Sequence, residues 1–144
     1  MYTLDTSVHI NALNAAEPGS AASQACLQQL IARHQAIFSP TLLLVELATA
    51  GARALNDAAL ALELTQAVRD LPGQVWISLD GELAAEAARL GAEARLRGAD
   101  AVFAAVARRY GATLITRDRQ QLERLKDWVQ VATPEEIALS AFRP

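Results

Sequence analysis

The chain alternates short apolar runs with longer segments of helical periodicity. The runs are apolar throughout instead of alternating apolar with polar residues, which is typical of strands covered on both faces. Strands that alternate with helices in this way predict an α/β domain with a parallel sheet. The predicted strands are the residues just before Asp5, Ala36–Ser39, Val75–Leu79, Thr113–Thr116 and Trp128–Val131.

Helical patterns fill the segments between these runs. The helix that starts at Pro40, with Ser39 as its cap, is apolar almost all round and is expected to be buried. Pairs of opposite charge at helical spacing, such as Glu93 and Arg97, support the helix that Asp80 opens and Gly98 ends. The predicted helices are Val8–Asn14 with Thr6 or Ser7 as cap, Ser20–His34, Pro40 to about Ala52, Asn56 or Asp57 to Leu71, Asp80 to Gly98, Asp100–Tyr110, Arg119–Lys126, and a further turn within Pro134–Pro144.

The length of 144 residues, without repeats or a dividing linker, predicts a single domain over residues 1–144. The composition is 52% hydrophobic but only 5% aromatic, so the core is expected to consist of Ala, Leu, Val and Ile. One cysteine excludes an internal disulfide and argues against a cysteine-based zinc site. No apolar run approaches the length of a membrane span. We therefore expect a soluble protein of the cytoplasm that does not contact a membrane.

Positive charge is concentrated in one part of the chain. Residues 95–126 hold 8 basic and 3 acidic residues, a net charge of +5, whereas the whole chain has a net charge of −3. Solvated helix faces account for at least half of these basic residues. The others could form a basic rim that attracts phosphate groups toward the enclosed acids Asp100 and Asp118.

Four acids stand where the predicted fold could bring them together. Asp5 and Asp118 each follow a predicted strand, and ligands of parallel sheets bind beyond the carboxyl ends of the strands. Asp100 opens a helix after a glycine. Glu46 is the only charged residue from position 35 to position 51, and no Lys or Arg lies one turn away to pair with it.

A divalent cation would resolve the repulsion among such carboxylates. Mg²⁺ prefers oxygen ligands and commonly takes one or two carboxylates together with phosphate oxygens, where it supports phosphoryl chemistry. The two histidines stand at no metal-ligand spacing. His34 is expected at the surface near a helix end, and His9 in the first helix, outside any metal shell.

Other interpretations of the acids stay open. Asp100 and Asp118 could each cap the helix that follows, and Asp5 could do so less readily because Thr6 and Ser7 already serve. On that interpretation the chain is a non-enzymatic α/β module that binds a partner protein. A phosphohydrolase with an aspartyl nucleophile is disfavoured, since it would place a second Asp where Ser7 stands.

The order of these motifs resembles the PIN domain family. It comprises D-T-S at residues 5–7, a lone Glu in an apolar helix, G-A-D-A at 98–101 and T-R-D at 116–118. The small single-domain form resembles the VapC-type toxins of bacterial toxin–antitoxin pairs. The resemblance implies a PIN-like three-layer sandwich: a mostly parallel sheet of about five short strands with helices on both faces. It also implies a metal-dependent ribonuclease, a cognate antitoxin and a homodimer.

By position, the family's acidic quartet corresponds to Asp5, Glu46, Asp100 and Asp118. Under this hypothesis Asp5, Asp100 and Asp118 hold one or two Mg²⁺ or Mn²⁺ ions, and Glu46 joins them or orients the attacking water. The resemblance also matches Ser7 and Thr116 to hydroxyl positions of the family, where they would hydrogen-bond the acids and waters. Arg117 and Arg119 flank Asp118 and could contact RNA phosphate or point to solvent.

Overall fold

Five short apolar segments pair side by side into one parallel sheet in the computed structural model, which describes residues 1–140. The strands are β1 (Tyr2–Leu4), β2 (Ile37–Pro40), β3 (Gln74–Ile77), β4 (Thr113–Ile115) and β5 (Val131–Ala132). The helices are α1 (Thr6–Leu13), α2 (Ser20–Ala32), α3 (Leu42–Leu55), α4 (Ala58–Arg69), α5 (Gly81–Ala94), α6 (Gly98–Tyr110), α7 (Arg119–Arg124) and α8 (Pro134–Ser140). The predicted α/β class is therefore confirmed.

The strand order is β3-β2-β1-β4-β5, and every pairing is parallel. The first strand of the chain is thus the central strand of the sheet. In the register of β1 with β4, Leu4 lies opposite Ile115. The residues that follow these two strands consequently leave the sheet at the same edge.

Helices cover both faces of the sheet. Neighbouring strand residues such as Leu114 and Ile115 belong to different clusters of buried side chains. One cluster includes side chains of α1 and α2, and the other side chains of α3, α5 and α6. This arrangement is the predicted three-layer sandwich.

Small side chains allow the middle of α6 to lie fully inside the protein. Residues 101–107 are all buried, and four of these seven are alanines. At the contact between α5 and α6, a Cβ added at Gly91 would lie 2.8 Å from the Cβ of Ala101. The low aromatic content of the chain thus corresponds to a core of closely packed aliphatic helices.

The helix that carries Glu46 differs from the prediction. It begins at Leu42, while Ser39 and Pro40 belong to β2 and the Ser39 hydroxyl donates to Gln74 Oε1 at 2.8 Å. It is not buried all round either, since Val45 is 58% exposed. One side of α3 buries Leu43 and Leu47 in the core and contacts α1 and α4, while Val45 points to solvent.

The end of the chain also corrects two predictions. Trp128 lies in a turn before β5, not in a strand, and its ring contacts the Arg108 guanidinium at 5.6 Å from the centroid. The predicted single turn of the tail is a helix of 7 residues, α8. Residues 141–144 of that predicted tail lie outside the described residues. Within residues 1–140, no helix is both long and apolar enough to cross a bilayer.

Candidate active site

Asp5 stands at the junction of β1 and α1 and caps the helix. Its Oδ1 accepts hydrogen bonds from the backbone N–H and the hydroxyl of Ser7, each at 2.5 Å. The prediction that Thr6 or Ser7 would cap α1 is therefore wrong. A carboxylate is a strong N-cap because it accepts from the free N–H groups of the first turn.

The second oxygen of Asp5 is bound from the far end of the chain. Thr116 Oγ1 donates to Asp5 Oδ2 at 2.6 Å, and Gln121 Nε2 donates to it at 2.7 Å. Asp5 is 4% exposed, and a buried carboxylate without partners would be costly. Four donors on two oxygens remove this penalty and fix the orientation of the carboxylate.

Asp118 follows β4 and caps α7. Its Oδ1 accepts from the backbone N–H groups of Gln120 and Gln121 at 2.7 and 3.2 Å. Its Oδ2 points elsewhere and accepts from the Arg97 guanidinium at 2.8 Å. The capping interpretation thus holds for Asp5 and Asp118, but in each case the cap uses only one carboxylate oxygen.

Asp100 is not a helix cap. Arg97 occupies the N-cap position of α6, so Asp100 lies inside the first turn. Its Oδ1 accepts from Gln121 Nε2 at 3.0 Å and its Oδ2 from Arg97 Nε at 2.9 Å. Burial raises the pKa of Asp100 above its usual value, and the hydrogen bond from Arg97 opposes that shift.

Glu46 reaches the same place from α3. Its Oε2 accepts a hydrogen bond of 2.5 Å from Thr6 Oγ1, at the first residue of α1. The partner that the sequence could not supply within one helical turn therefore comes from another helix. All four predicted acids line one cleft of about 290 Å³, together with Thr6, Ser7, Arg97, Ala99, Phe103 and Gln121.

Sequence reasoning missed the two residues that bridge the acids of this cleft, Arg97 and Gln121, and it missed Thr6 as the partner of Glu46. The Gln121 amide bridges Asp5 and Asp100, and the Arg97 guanidinium bridges Asp100 and Asp118. The spacing of three residues between Arg97 and Asp100 at a helix start was the available signal for the first. Gln121 lies 116 positions from Asp5 and gave no such signal.

The donor chemistry suits a hard divalent cation, because four carboxylates and two hydroxyls converge and no sulfur or imidazole lines the cleft. As the side chains are placed, no group of three or more His, Cys, Asp or Glu residues within 1–140 could hold one ion. The bridging donors of Arg97 and Gln121 lie between the acids. The residues thus fit a metal as a donor set, provided that at least Arg97 moves.

The two arginines beside Asp118 have different surroundings. Arg117 points toward α2 and α8, where its guanidinium donates to Ser23 Oγ at 3.2 Å and to Glu135 Oε1 at 2.9 Å. Arg119 is exposed. Ser7 Oγ also accepts from the Arg117 backbone N–H at 3.2 Å, which ties the loop after β4 to the start of α1.

Both histidines lie apart from the cleft. His34 is exposed at the end of α2, as predicted. His9 lies in α1 and is 1% exposed, and within residues 1–140 neither of its ring nitrogens has a hydrogen-bond partner. Burial lowers the pKa of His9 to about 4, so the imidazole is neutral at neutral pH.

Comparison with known proteins gives concordant results. Two solved structures are 24% identical in sequence. One, FitAB bound to an IR36 DNA fragment, has a TM-score of 0.72 over 94% of this chain and 96% of that one. The other, FitAcB from Neisseria gonorrhoeae, has a TM-score of 0.70 over 93% and 98%.

More distant structures share the same architecture. VapBC2 from Rickettsia felis, bound to a DNA fragment from its promoter, has 16% identity and a TM-score of 0.70 over 92% of this chain and 97% of that one. No curated protein sequence matches the chain. The PIN domain model matches residues 2–127. On the fold, the converging acids and this match, the chain belongs to the PIN domain family.

Proposed function

We propose that this protein is a metal-dependent endoribonuclease that hydrolyses RNA phosphodiester bonds. The observation that carries the proposal is the convergence of four acids from four separate segments into one open cleft. Capping requires one oxygen of Asp5 and one of Asp118, and it requires none of Asp100 or Glu46. The remaining carboxylate oxygens are those expected of a phosphoryl-transfer site, and PIN domains are generally nucleases.

Asp5, Asp100 and Asp118 are the proposed ligands of Mg²⁺ or Mn²⁺. When bound, such an ion lowers the pKa of water and stabilises the charge that develops on the phosphate. Thr116, Ser7 and Gln121 hold both oxygens of Asp5 in a fixed orientation, and a metal bound by Asp5 would replace one of these donors. Outer hydrogen bonds of this kind orient metal ligands and are part of the working site.

Glu46 is the proposed residue that orients the attacking water. It approaches the cleft from α3, whereas the other three acids follow β1, open α6 or follow β4. Its carboxylate is held by a single hydroxyl, that of Thr6, and is less buried than Asp5. A carboxylate with one oxygen free can accept a proton from water or join the metal ligands.

Exposed arginines beside the cleft are the proposed contacts for RNA phosphate. A second cavity adjoins the acids and is lined by Arg97, Arg117, Asp118, Arg119 and Gln120. Arg119 is exposed and free to turn toward a bound strand. Arg117 is the weaker candidate, because Ser23 and Glu135 already hold its guanidinium.

We further propose that the protein is the toxin of a type II toxin–antitoxin pair in the cytoplasm. Solved structures of the same fold contain FitAB and VapBC2, and a third is described as a toxin–antitoxin complex from Klebsiella pneumoniae. On this proposal an antitoxin protein covers the cleft, and the chain forms a homodimer as VapC-type toxins do. Gel filtration with light scattering on the isolated chain tests the homodimer.

The test of the proposal is cleavage by the purified chain, free of any co-expressed partner, with structured RNA and Mg²⁺, Mn²⁺ or EDTA. Asp5→Asn should reduce cleavage by roughly a thousandfold or more, since several kcal/mol of transition-state stabilisation are lost. Asp80→Asn is the matched control. Asp80 also caps a helix, accepting from the Leu83 N–H at 2.9 Å, but it lies outside the cleft.

Equal cleavage by the wild type and Asp5→Asn would refute the assignment of the site. A folded protein that cleaves no RNA and gains no thermal stability from Mn²⁺ would favour a protein-binding module with capping acids. A ligand that binds only the folded state raises the melting temperature by mass action. A Mn²⁺-induced shift that disappears in Asp5→Asn would therefore support the metal site even while the RNA target is unknown.

A further inference from the structure

Arg97 lines the acidic cleft and places its positive charge against two of the acids. Its Nε donates to Asp100 Oδ2 at 2.9 Å, and one terminal nitrogen donates to Asp118 Oδ2 at 2.8 Å. One guanidinium thus binds two of the three carboxylates proposed as metal ligands. The planar fork of arginine suits two carboxylate partners at once.

The exposure of these groups shows which of them can move. The Arg97 side chain is 71% exposed, whereas the side chains of Asp100 and Asp118 are 17% and 23% exposed. No side-chain cap bond ties Arg97 to the start of α6. Arg97 can therefore leave the two acids at the modest cost of exposed ion pairs, while the acids stay in place.

Gln121 provides the contrast within the same cleft. It is 1% exposed, and its neutral amide spans Asp5 and Asp100 from the interior side. It contributes no charge and is enclosed by the protein. Of the two bridging residues, only Arg97 carries the charge that a divalent cation would replace.

We propose that Arg97 is the protein's own competitor for the divalent ion, holding Asp100 and Asp118 together until the ion displaces it. The inference rests on the proposed function for the identity of the ion. Two carboxylates that face each other without a cation repel, and the guanidinium removes this repulsion in the metal-free state. Metal binding consequently includes the cost of releasing Arg97 from both carboxylates.

A released Arg97 would lie where a substrate strand passes. It lines the neighbouring cavity with Arg117 and Arg119, and a guanidinium binds phosphate as it binds carboxylate, through two parallel hydrogen bonds. A phosphate group of the substrate would then replace Asp100 and Asp118 as the partner of the Arg97 guanidinium. The binding of metal and the binding of RNA should therefore strengthen each other, because both require Arg97 to be released from the two carboxylates.

The experiment measures Mn²⁺ binding to the RNA-free protein by isothermal titration calorimetry. Arg97→Met removes the cation and keeps much of the aliphatic stem. Arg97→Lys keeps the charge but loses the fork, and Arg119→Met removes a neighbouring exposed cation that forms no ion pair with the four acids within residues 1–140. Thermal unfolding without metal shows that each variant is folded.

Arg97→Met should bind Mn²⁺ about tenfold more tightly than the wild type, from the loss of two competing ion pairs. Arg97→Lys should show an intermediate gain, and Arg119→Met a change of about twofold from long-range charge alone. At saturating Mn²⁺, Arg97→Met should bind a non-cleavable RNA more weakly than the wild type. This opposite effect on the two ligands is not expected of a residue that only stabilises the fold.

The outcomes separate this inference from the proposed function. If the wild type binds Mn²⁺ and Arg97→Met binds it no more tightly than Arg119→Met, Arg97 is not a competitor, and the nuclease proposal is untouched. If no variant binds Mn²⁺ at millimolar concentration, the metal site itself is wrong and both proposals fail. Tighter Mn²⁺ binding together with unchanged RNA affinity would retain the competition and overturn the coupling.

Discussion

Asp5 and His9 lie one helical turn apart at the start of α1, and the protein treats their polar atoms in opposite ways. Both are nearly inaccessible, at 4% and 1% exposure. Asp5 receives four hydrogen bonds from three residues that come from both ends of the chain. His9 has no hydrogen-bond partner on either ring nitrogen in the part of the chain that the structure describes. Burial alone therefore does not distinguish a residue of the proposed site from one that only fills space.

The difference between the two residues lies in the hydrogen-bond donors that the fold supplies to a buried polar group. A carboxylate in the interior needs donors, and the chain supplies them from α1, from the residue after β4 and from α7. An apolar side chain at position 5 would need none of these bonds. His9 is buried, and desolvation alone lowers its pKa to about 4. In this protein the density of donors, more than a shifted pKa, distinguishes the cleft from the core.

The largest expected effect on stability comes from removing the donor that Asp5 and Asp100 share. Gln121→Leu leaves one oxygen of each carboxylate without the Gln121 amide, and hydrogen bonds to charged groups contribute roughly 1.5–3 kcal/mol each. The free energy of unfolding should fall by about 4 kcal/mol, measured by urea denaturation at neutral pH.

Gln120→Leu is the matched control for this change. Gln120 is exposed on the same short helix and meets Asp118 only through its backbone N–H, so its side chain should contribute within about 0.5 kcal/mol. If Gln121→Leu were as stable as Gln120→Leu, the Gln121 hydrogen bonds to Asp5 and Asp100 would not contribute to stability. The contrast between Asp5 and His9 would then have no energetic basis.

The pH dependence of stability should reveal His9. The folded-state pKa of about 4 lies below the ordinary value of 6.5, so between these pH values the unfolded state binds more protons. The contribution of His9 to stability is complete above pH 6.5 and falls as the pH drops toward 4. The loss over this window should be about 3 kcal/mol, since one pKa unit corresponds to about 1.4 kcal/mol.

His9→Leu isolates this contribution from that of the carboxylates. The difference in unfolding free energy between variant and wild type should be small at pH 7.5 and should grow in favour of the variant as the pH falls to 4. The carboxylates titrate in both proteins and largely cancel in the difference. Parallel curves for the two proteins would show that His9 gains a partner on protonation.

The sequence predicts the location of a residue best where the parallel sheet alone determines it. The carboxyl ends of parallel strands share one edge, so the sequence alone places Asp5 and Asp118 at the same edge of the sheet. That they lie next to each other follows from the pairing of β1 with β4, which the sequence does not give. The lone Glu46 was informative because a buried acid needs a partner, and Thr6 supplies it. The prediction that α3 is buried all round was wrong. The burial of a helix depends on which elements pack against it, and the sequence alone does not show that packing.

Arg97 and Gln121 were missed for different reasons. The charge pattern predicts Arg97 on the outer face of a helix that runs to Gly98, paired with Glu93. The helix instead ends at Ala94, and Arg95 takes the left-handed conformation with φ of 56°, which redirects the chain so that Arg97 precedes α6. Gln121 depends on the docking of a six-residue helix whose propensity predicts nothing about its partners.

The smallest expected effect concerns Arg117, a charged residue that has hydrogen-bond partners but does not line the acidic cleft. Gly19 has φ of +83°, and a Cβ there would lie 1.9 Å from a terminal nitrogen of Arg117. Gly19→Ala should lower the free energy of unfolding by about 2 kcal/mol. Roughly 1 kcal/mol comes from the left-handed backbone and the rest from displacing Arg117 from Ser23 and Glu135.

A double-mutant cycle with Arg117→Ala divides these two contributions. Without the guanidinium, Gly19→Ala should cost only the backbone part, about 1 kcal/mol, because the space beside residue 19 is then open. An unchanged cost in the Arg117→Ala background would mean that the side chain of Arg117 moves aside freely. Arg117 would then be as available to phosphate as Arg119, and the distinction drawn between the two arginines would disappear.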